Sequence, residues 1–322
     1  MTKVALIGFG GIGFVHYCSY KRIKDAEIIA IADPDIEKLK EKLDDDSIHL
    51  YTSMDELLEN ESPDMVDICT PTFTHADLSI KAMEKGVHVL CEKPMSLYPE
   101  DCQRMIDASE KYDRLLMIAH VVRFGKEVLY LKDIIDSGKL GAIKHLDLTR
   151  ISYMPDWSWN DWMRGYEKSG GCLVDMAIHD FDMAQYFFGL PEKLGGVYHK
   201  MNGGNDFVTA NLIYDGFDVT VNGGWYSCKI PFRATFLACF ENGYLEKKDD
   251  ELYKNGEKVE FEVLTEEVDA GINISSTEGY KEEIEYFIGC IKSGTKPEMV
   301  MPEGSKNSVA LAREIAKKAV LI

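Results

Sequence analysis

Short apolar runs alternate with polar stretches of helical spacing over roughly the first 120 residues of the chain. An apolar run followed by a helix-like stretch, repeated several times, predicts a parallel sheet with helices on both faces. In sheets of this kind, ligands bind at the carboxyl ends of the strands. The predicted strands lie at residues 4–7, 28–32, 65–69, 87–91 and 115–119.

The pattern changes after about residue 125, where alternating β-type runs dominate. Asp215-Gly216 and Asn242-Gly243 stand between such runs and suit hairpin turns. The predicted helices lie at 127–136, about 172–187, 279–292 and 303–319, and the predicted strands at 143–151, 207–214, 217–225, 234–240 and 258–264. We therefore predict an α/β protein with an N-terminal Rossmann doubly wound parallel sheet and a C-terminal α+β domain with a large, mainly antiparallel sheet.

Chain length supports two domains, because 322 residues exceed the usual size of a single hydrophobic core. The expected boundary separates residues 1–122 from residues 123–322, with the C-terminal helix packing back on the first domain. An antiparallel sheet with an apolar outer face commonly pairs with a copy of itself. The second domain therefore predicts a homodimer or homotetramer.

The charge balance excludes two classes of partner. With 55 acidic against 36 basic side chains, the formal net charge of −19 repels phosphate backbones and anionic lipid headgroups, so neither nucleic acid nor a membrane is expected. Charges interrupt every hydrophobic segment, and the first apolar run is too short for a signal peptide, which favours a cytoplasmic protein. The eight cysteines have no C-x-x-C spacing, which favours reduced thiols and no metal site.

A glycine-rich motif directly follows the first predicted strand. It reads Gly8-Phe9-Gly10-Gly11-Ile12-Gly13, a G-x-G-x-x-G pattern typical of a turn that brings backbone and a helix N-terminus to a pyrophosphate. Asp33 ends the second strand twenty residues after Gly13, where a carboxylate can bind the adenosine ribose. The same charge would repel a 2′-phosphate, so NAD is expected rather than NADP. The alternative is a glycine turn and a solvated aspartate without any ligand.

Three further motifs carry a resemblance that spans nearly the whole chain. They are Cys69-Thr70-Pro71-Thr72-Phe73-Thr74-His75, Cys91-Glu92-Lys93-Pro94, and Gly170-Gly171-Cys172-Leu173-Val174-Asp175-Met176-Ala177-Ile178-His179. Together with the glycine motif, they resemble the glucose-fructose oxidoreductase, inositol dehydrogenase and MocA family, and most closely its inositol 2-dehydrogenases. Ser169 and Ala177 depart from the family pattern by exchanging one small residue for another.

The resemblance implies a dehydrogenase acting on CH–OH groups, which moves a hydride between NAD and a secondary alcohol or ketone of a cyclitol or sugar. It implies His179 as proton acceptor, Asp175 as its partner or as a substrate ligand, and Lys93 as a cation at the reacting oxygen. Spaced four apart on one predicted helix, Asp175 and His179 would share a face. Both could also ligate zinc, but no Cys or His stands at ligand spacing. The remaining implied cofactor residues are Thr70, Pro71, Thr72, His75, Glu92 and Lys93 itself.

Four residues are weaker candidates for substrate contact, namely Arg123, Trp162, Arg164 and Tyr280. A surface ion pair is the alternative for Arg123, and helix packing is the alternative for Tyr280. Trp157, Trp159 and Trp162 could stack on a sugar ring or serve in packing. Two other functions stay open at this point: an NAD-dependent glycosidase, in which the sugar is oxidised transiently, and a non-catalytic dinucleotide sensor.

Overall fold

The computed structural model describes residues 1–202, 205–248, 250–261 and 279–322. It divides into two compact units. The first unit contains Met1–Val121 and Tyr280–Lys306, and the second begins at Val122 and includes Asn307–Ile322. None of the described helices combines the length and the apolar character that crossing a bilayer requires.

Strands and helices alternate through the first 120 residues, as the apolar pattern predicts. The strands are β1 (Thr2–Ile7), β2 (Ala26–Ala32), β3 (His49–Tyr51), β4 (Met65–Ile68), β5 (His88–Glu92) and β6 (Leu116–Ala119). The helices are α1 (Gly11–Tyr20), α2 (Ile36–Lys42), α3 (Met54–Asn60), α4 (His75–Glu84) and α5 (Pro99–Tyr112).

The later part of the chain contributes most of the remaining elements. Its helices are α6 (Lys126–Ser137), α7 (Tyr166–Ser169), α8 (Gly171–Asp175), α9 (Ile178–Phe188), α10 (Tyr280–Ser293) and α11 (Pro302–Lys318). Its strands are β7 (Ile143–Tyr153), β8 (Lys193–Asn202), β9 (Asn205–Tyr214), β10 (Phe217–Tyr226), β11 (Arg233–Phe240), β12 (Gly243–Lys248), β13 (Glu251–Lys254), β14 (Glu257–Val259) and β15 (Val320–Leu321).

The first unit contains a six-stranded parallel sheet in the order β3-β2-β1-β4-β5-β6. Strand order reverses at β1 and β4, and the carboxyl ends on either side of that point are where a doubly wound sheet binds its ligand. The predicted Rossmann sheet is confirmed. Strand β3 is not predicted by the sequence pattern, because three residues are too short to stand out as an apolar run.

The second unit contains a nine-stranded sheet, counted over the described residues, in the order β14-β13-β12-β11-β7-β10-β9-β8-β15. Most neighbours are antiparallel, as predicted, but β7 pairs with β10 and β8 with β15 in parallel. Both predicted hairpins form, since Tyr214 pairs with Phe217 and Phe240 with Gly243. The predicted strand 258–264 corresponds to β14 in part, and its end lies outside the described residues.

Four strands of this sheet are not predicted by the sequence pattern. They are β8, β12, β13 and β15. Paired glycines interrupt β8, lysines and glutamates dominate β12 and β13, and β15 has only two residues, so none of them has the apolar alternation that marks a strand.

At its centre, the outer face of the nine-stranded sheet is polar where it was expected to be apolar. Thr209 donates a hydrogen bond to Asn222, and Thr220 donates one to Asn211, across neighbouring strands. On the opposite face Val208, Ala210 and Leu212 alternate with these residues and are buried. The premise of an apolar outer face is therefore wrong at this centre of the sheet, and the oligomeric state stays a prediction.

Candidate functional site

The glycine loop is shaped by close backbone contacts in the first unit. Gly8 has a φ of +90°, and a Cβ there would lie 2.7 Å from the carbonyl oxygen of Cys69. A Cβ at Gly13 would lie 2.2 Å from the carbonyl oxygen of Gly8. Gly10 differs, because it is exposed and nothing in the described structure lies within 4 Å of its Cβ position. Gly8 and Gly13 thus serve strand–helix packing, while Gly10 leaves open space for a ligand.

This open space lies at the N-terminus of α1, whose first residue is Gly11. The first backbone N–H groups of a helix have no partner within the helix and favour an anion such as a pyrophosphate. Ile12 is half-buried in the first turn, and Phe9 is buried with its ring edge-on to Tyr17 at 5.5 Å. The loop therefore fits a dinucleotide, as the motif predicts.

Asp33 lies at the end of β2 and is tied to the glycine loop. Its Oδ2 accepts a hydrogen bond from the Phe9 N–H at 2.7 Å, and its Oδ1 accepts one from the Asp35 N–H at 2.8 Å. Each carboxylate oxygen has a second lone pair that a ribose hydroxyl can use. The side chain thus holds the loop in place and keeps acceptor capacity for the adenosine ribose.

The loop after β4 is braced from inside by His75. Its ring is 1% exposed and lies 2.9 Å from the carbonyl oxygens of both Thr70 and Pro94, and burial lowers the pKa of His75. Thr70 also pairs with Thr74 through their hydroxyls, at 2.7 Å, and Pro71 leads into a buried Thr72. Both ring nitrogens face backbone carbonyl oxygens of the first unit, so a role of His75 in cofactor binding would act through this loop.

Lys93 follows the carboxyl end of β5, and its backbone is held by the preceding side chain. Glu92 is 5% exposed, and its Oε2 accepts a hydrogen bond from the Lys93 N–H at 3.0 Å. The peptide between Lys93 and Pro94 is cis. Lys93 itself is half-buried. A cation therefore stands at the ligand-binding edge of the parallel sheet, as the E-K-P motif predicts.

Beneath this edge lies a buried cluster that the sequence analysis missed. His16, from the second turn of α1, has its Nδ1 2.8 Å from Asp67 Oδ2 and its Nε2 3.1 Å from Glu92 Oε1. His16 and Asp67 are fully buried, and the hydroxyl of Tyr20 donates to the same Asp67 oxygen at 2.9 Å. An aspartate inside the apolar strand Met65–Ile68 is the signal that could have revealed this cluster, because buried charges require partners.

Two carboxylates around one imidazole favour its charged form. Burial alone lowers the pKa of His16, but the charge of Asp67, the neighbouring Cys69 and the hydrogen bond to Asp67 together outweigh it and leave the pKa well above 6.5. Both ring nitrogens can then donate, one to each carboxylate. The imidazolium thereby offsets part of the negative charge buried between α1, β4 and β5.

Helix α10 closes this cluster from the other side. Tyr280, predicted as a substrate contact, is 6% exposed, and its ring lies edge-on to His16 with centroids 5.5 Å apart. Glu283 is fully buried, and neither of its oxygens has a hydrogen-bond partner among the described residues. Burial raises the pKa of Glu283 well above its usual range, which favours the neutral acid. The position of Tyr280 favours the packing alternative for this residue.

In the second unit, the helix predicted over 172–187 is broken in two. Asp175 is the last residue of α8, whereas His179 lies in the first turn of α9. The Ala177 N–H bonds back to Cys172, five residues earlier, and Met176 departs from regular helical angles. The expectation of one continuous helix through Asp175 and His179 is therefore wrong, and their shared face stays a prediction. Asp175 is buried and His179 is half-buried.

The paired glycines at the start of α8 serve close packing. Gly171 has a φ of +69°, and a Cβ there would lie 2.2 Å from Asp206 Oδ2. That oxygen accepts a hydrogen bond from the Cys172 N–H at 2.6 Å, which ties the start of α8 to β9. The G-G of the motif thus fixes where α8 begins and, through it, where Asp175 lies.

Two buried ion pairs hold α9, the helix that carries His179. Arg150 of β7 contacts Asp180 through two nitrogens, each at 3.1 Å, and Arg123 contacts Asp182 through two nitrogens, each at 2.7 Å. Ser308 also donates to Asp182, at 3.0 Å. The surface ion pair considered for Arg123 is wrong in its location, because Arg123 and Asp182 are both buried. Arg123 anchors α9 within the second unit.

The tryptophan loop does not form one stacking platform. Trp157 packs edge-on against Tyr153 at 5.4 Å, Trp159 is 60% exposed, and Trp162 is half-buried. Arg164 is exposed and donates to the Pro155 carbonyl at 3.1 Å. Beside it lies a hollow of ≈ 360 Å³, lined by Tyr153, Met154, Asp156, Arg164, Tyr226, Ser227 and Lys229. Its polar and aromatic lining has the chemistry that binds hydroxylated molecules.

Comparison with known families matches both parts of the chain. Residues 2–120 match the oxidoreductase family with an NAD-binding Rossmann fold. Residues 128–246 match the GFO/IDH/MocA C-terminal domain. The fold is similar to that of an oxidoreductase from Agrobacterium radiobacter crystallised with NAD⁺, with a TM-score of 0.83 at 21% identity over 98% of this chain and 96% of that one.

Among curated relatives, the myo-inositol 2-dehydrogenase of Thermotoga maritima is 36% identical over 58% of this chain and 55% of its own length. The first relatives are matched over about half of their length. The inositol 2-dehydrogenase of Rhizobium meliloti is 27% identical over 98% of both chains. The nucleotide loop, the folds of both units and these matches agree. This chain belongs to the Gfo/Idh/MocA oxidoreductase family, whose N-terminal domain is an NAD-binding Rossmann fold.

Proposed function

We propose that this protein is an NAD-dependent dehydrogenase that acts on a secondary alcohol or ketone of a cyclitol or sugar. The observation that carries the proposal is the position of Lys93 in the E-K-P segment. Lys93 lies at the ligand-binding edge of a Rossmann sheet, and its backbone N–H donates a hydrogen bond to Glu92 Oε2 at 3.0 Å. A dinucleotide sensor has no need of a lysine fixed in this way. NAD supplies the hydride acceptor when it is bound.

The protein's own groups handle the proton and the charge. His179 accepts the proton of the substrate hydroxyl, and Asp175 orients the imidazole or binds a neighbouring hydroxyl. Lys93 places its positive charge at the oxygen, where negative charge develops as the hydride leaves. In the reverse direction the same groups return the proton to a ketone. The ion pairs of Asp180 and Asp182 support this assignment, because they hold the helix of His179 in a fixed position.

Several finer features belong to the same proposal. All eight cysteines are free thiols, which supports a reducing, cytoplasmic location. The substrate is a small polyol or sugar, and its identity depends on loops such as 153–164. Thr70, Pro71 and Thr72 line the cofactor side in this proposal, and Trp162 and Arg164 line the substrate side.

The test is turnover with NAD across inositols, pyranoses and their keto forms, followed by the absorbance of NADH. Lys93→Met should lower kcat/KM by about 100- to 1000-fold, because it removes one donor at the developing charge. Its affinity for NAD, measured by calorimetry, should stay within about twofold of the parent. Lys85→Met makes the same chemical change at an exposed lysine and should have no effect.

Three outcomes separate the alternatives. Release of an aglycone from chromogenic glycosides without net NADH would identify the transient-oxidation glycosidase instead. NAD binding without turnover on the whole panel would identify a sensor. Equal loss of NAD binding and turnover in Lys93→Met would contradict the role assigned to Lys93.

A further inference from the structure

Three hydrogen bonds, two of them buried and the third part-buried, link β4, the nucleotide-binding helix and Lys93. Asp67 pairs with His16 Nδ1 at 2.8 Å, His16 Nε2 pairs with Glu92 Oε1 at 3.1 Å, and Glu92 Oε2 accepts from the Lys93 N–H at 3.0 Å. All four residues belong to the first unit. The series therefore runs without interruption from β4, through α1, to the end of β5.

Because His16 lies on α1, these hydrogen bonds connect Lys93 to the nucleotide-binding loop. The helix begins at Gly11, in the glycine loop, and His16 lies five residues further along it. A helix is stiff over such a short distance, so the loop that receives the pyrophosphate and the imidazole that holds Glu92 move as one body. The glycine contacts at Gly8 and Gly13 fix the same helix against β1 and β4.

We propose that His16 is a positioning residue for Lys93: acting through Glu92, it sets the Lys93 backbone in register with the nucleotide-binding loop. The proposal rests on the proposed function in so far as Lys93 acts on the substrate oxygen. His16 does not contact the substrate. Its effect is to fix the Glu92 carboxylate in the one orientation that also receives the Lys93 N–H.

The surroundings of His16 indicate that its ring is held in a fixed position between Asp67 and Glu92 and is not a loosely held side chain. Its ring is fully buried, the edge-on Tyr280 ring blocks rotation on one side, and Asp67 fixes the opposite nitrogen. Without His16, Glu92 would lose its donor at Oε1 and could turn away from the Lys93 N–H. A displacement of about 1 Å at a reacting group can cost about 100-fold in rate.

The cluster also has the composition of a metal site. The experiment described below distinguishes a bound metal from a hydrogen-bonded bridge. One ring nitrogen of His16 and one carboxylate oxygen each of Glu92 and Glu283 lie within 4.8 Å of one another. The hydrogen bonds at both His16 nitrogens favour the proton bridge, because a metal would replace the proton between Nε2 and Glu92.

The test compares His16→Gln with Tyr20→Phe in the full chain. Both changes remove a buried hydrogen bond to Asp67, but only His16→Gln also removes the contact with Glu92. We expect His16→Gln to lower kcat by about 10- to 100-fold with NAD affinity within about twofold, and Tyr20→Phe to leave kcat unchanged. In a Lys93→Met background, His16→Gln should have no further effect on kcat, since the two act as one unit.

Hydrogen exchange at the Lys93 amide gives a readout that does not need turnover. His16→Gln should speed this exchange, whereas Tyr20→Phe should not. If the parent protein turns over nothing, the proposed function fails and the exchange result alone decides the bridge. Unchanged exchange and unchanged kcat in His16→Gln, an equal loss in Tyr20→Phe, or a stoichiometric divalent metal that His16→Gln removes would each overturn the proposal.

Discussion

At the scale of single residues, several polar side chains act as internal supports. Asp33, His75 and Arg123 were chosen from the sequence as ligand contacts, yet each makes hydrogen bonds to its own unit. Their residue types are those of binding sites, because groups that accept or donate strongly are useful for both purposes. Only their partners in space distinguish the two roles.

His88 allows a test of one such support through pH. Its Nδ1 accepts a hydrogen bond from the Leu115 N–H at 2.9 Å, and burial lowers its pKa below 6.5. A depressed histidine pKa means that the unfolded chain binds the proton more tightly than the folded protein does. The stability from His88 is therefore complete above pH 6.5 and is lost as the pH falls below that value.

His88→Asn keeps an acceptor near the Nδ1 position but does not titrate. We expect the parent Tm to fall by roughly 1–3 °C more than that of the variant between neutral and mildly acidic pH. Thermal unfolding followed by circular dichroism measures the difference, and the other histidines contribute equally to both proteins. Parallel pH profiles would show that the Leu115 contact does not depend on the charge of His88.

At the scale of elements, the glycines of the loop serve two functions, close packing and space for a ligand, which the motif by itself does not distinguish. Gly13 is required because the first turn of α1, which contains it, lies against the Gly8 carbonyl after β1, whereas Gly10 is open to solvent. The broken helix around Asp175 gives a second example. A four-residue spacing predicted one continuous helix, but α8 ends at Asp175 and a new helix begins at Ile178.

The two glycines give a matched pair of substitutions. Gly13→Ala should destabilise the protein by about 1–3 kcal/mol, because its methyl group would overlap the Gly8 carbonyl. Gly10→Ala should leave Tm unchanged without ligand, since its φ of −69° suits alanine. It should weaken NAD binding by about tenfold or more, because the methyl group enters the space beside the pyrophosphate.

Differential scanning fluorimetry with and without NAD separates the two effects. The expected pattern is a low Tm for Gly13→Ala and a lost NAD-induced shift for Gly10→Ala. An undiminished NAD-induced shift in Gly10→Ala would argue that the dinucleotide lies elsewhere.

At the scale of the whole molecule, net charge and the surface of the large sheet determine how the predicted homo-oligomer forms. Each chain carries a formal charge of −19, so identical subunits repel one another. The outer face of the large sheet carries threonine and asparagine pairs at its centre, and Val197, Ile213 and Leu237 are exposed on strands of the same sheet. We expect association to be salt-dependent.

Light scattering at low and moderate ionic strength tests this expectation. The measured mass should correspond to two or four copies of the 36.4 kDa chain, with the larger share of oligomer at higher salt, where repulsion is screened. A mass of one chain at every salt concentration would contradict the homo-oligomer.

The alternation of apolar runs was sufficient to predict the parallel sheet, both hairpins and most helices. Local patterns carry this information because burial of one face requires a fixed period along the chain. The glycine motif and Asp33 were recognisable for the same reason, since their spacing is set by a single strand–turn–helix unit.

Tertiary structure alone decided which polar groups meet. The residues of the buried cluster come from four elements that lie far apart in the chain, and no sequence spacing links them. They are His16, Asp67, Glu92 and Glu283. The same holds for the pairs of Arg123 with Asp182 and of Arg150 with Asp180. Removing charges from water requires such partners, but it does not specify where along the chain they stand, so only the folded chain identifies them.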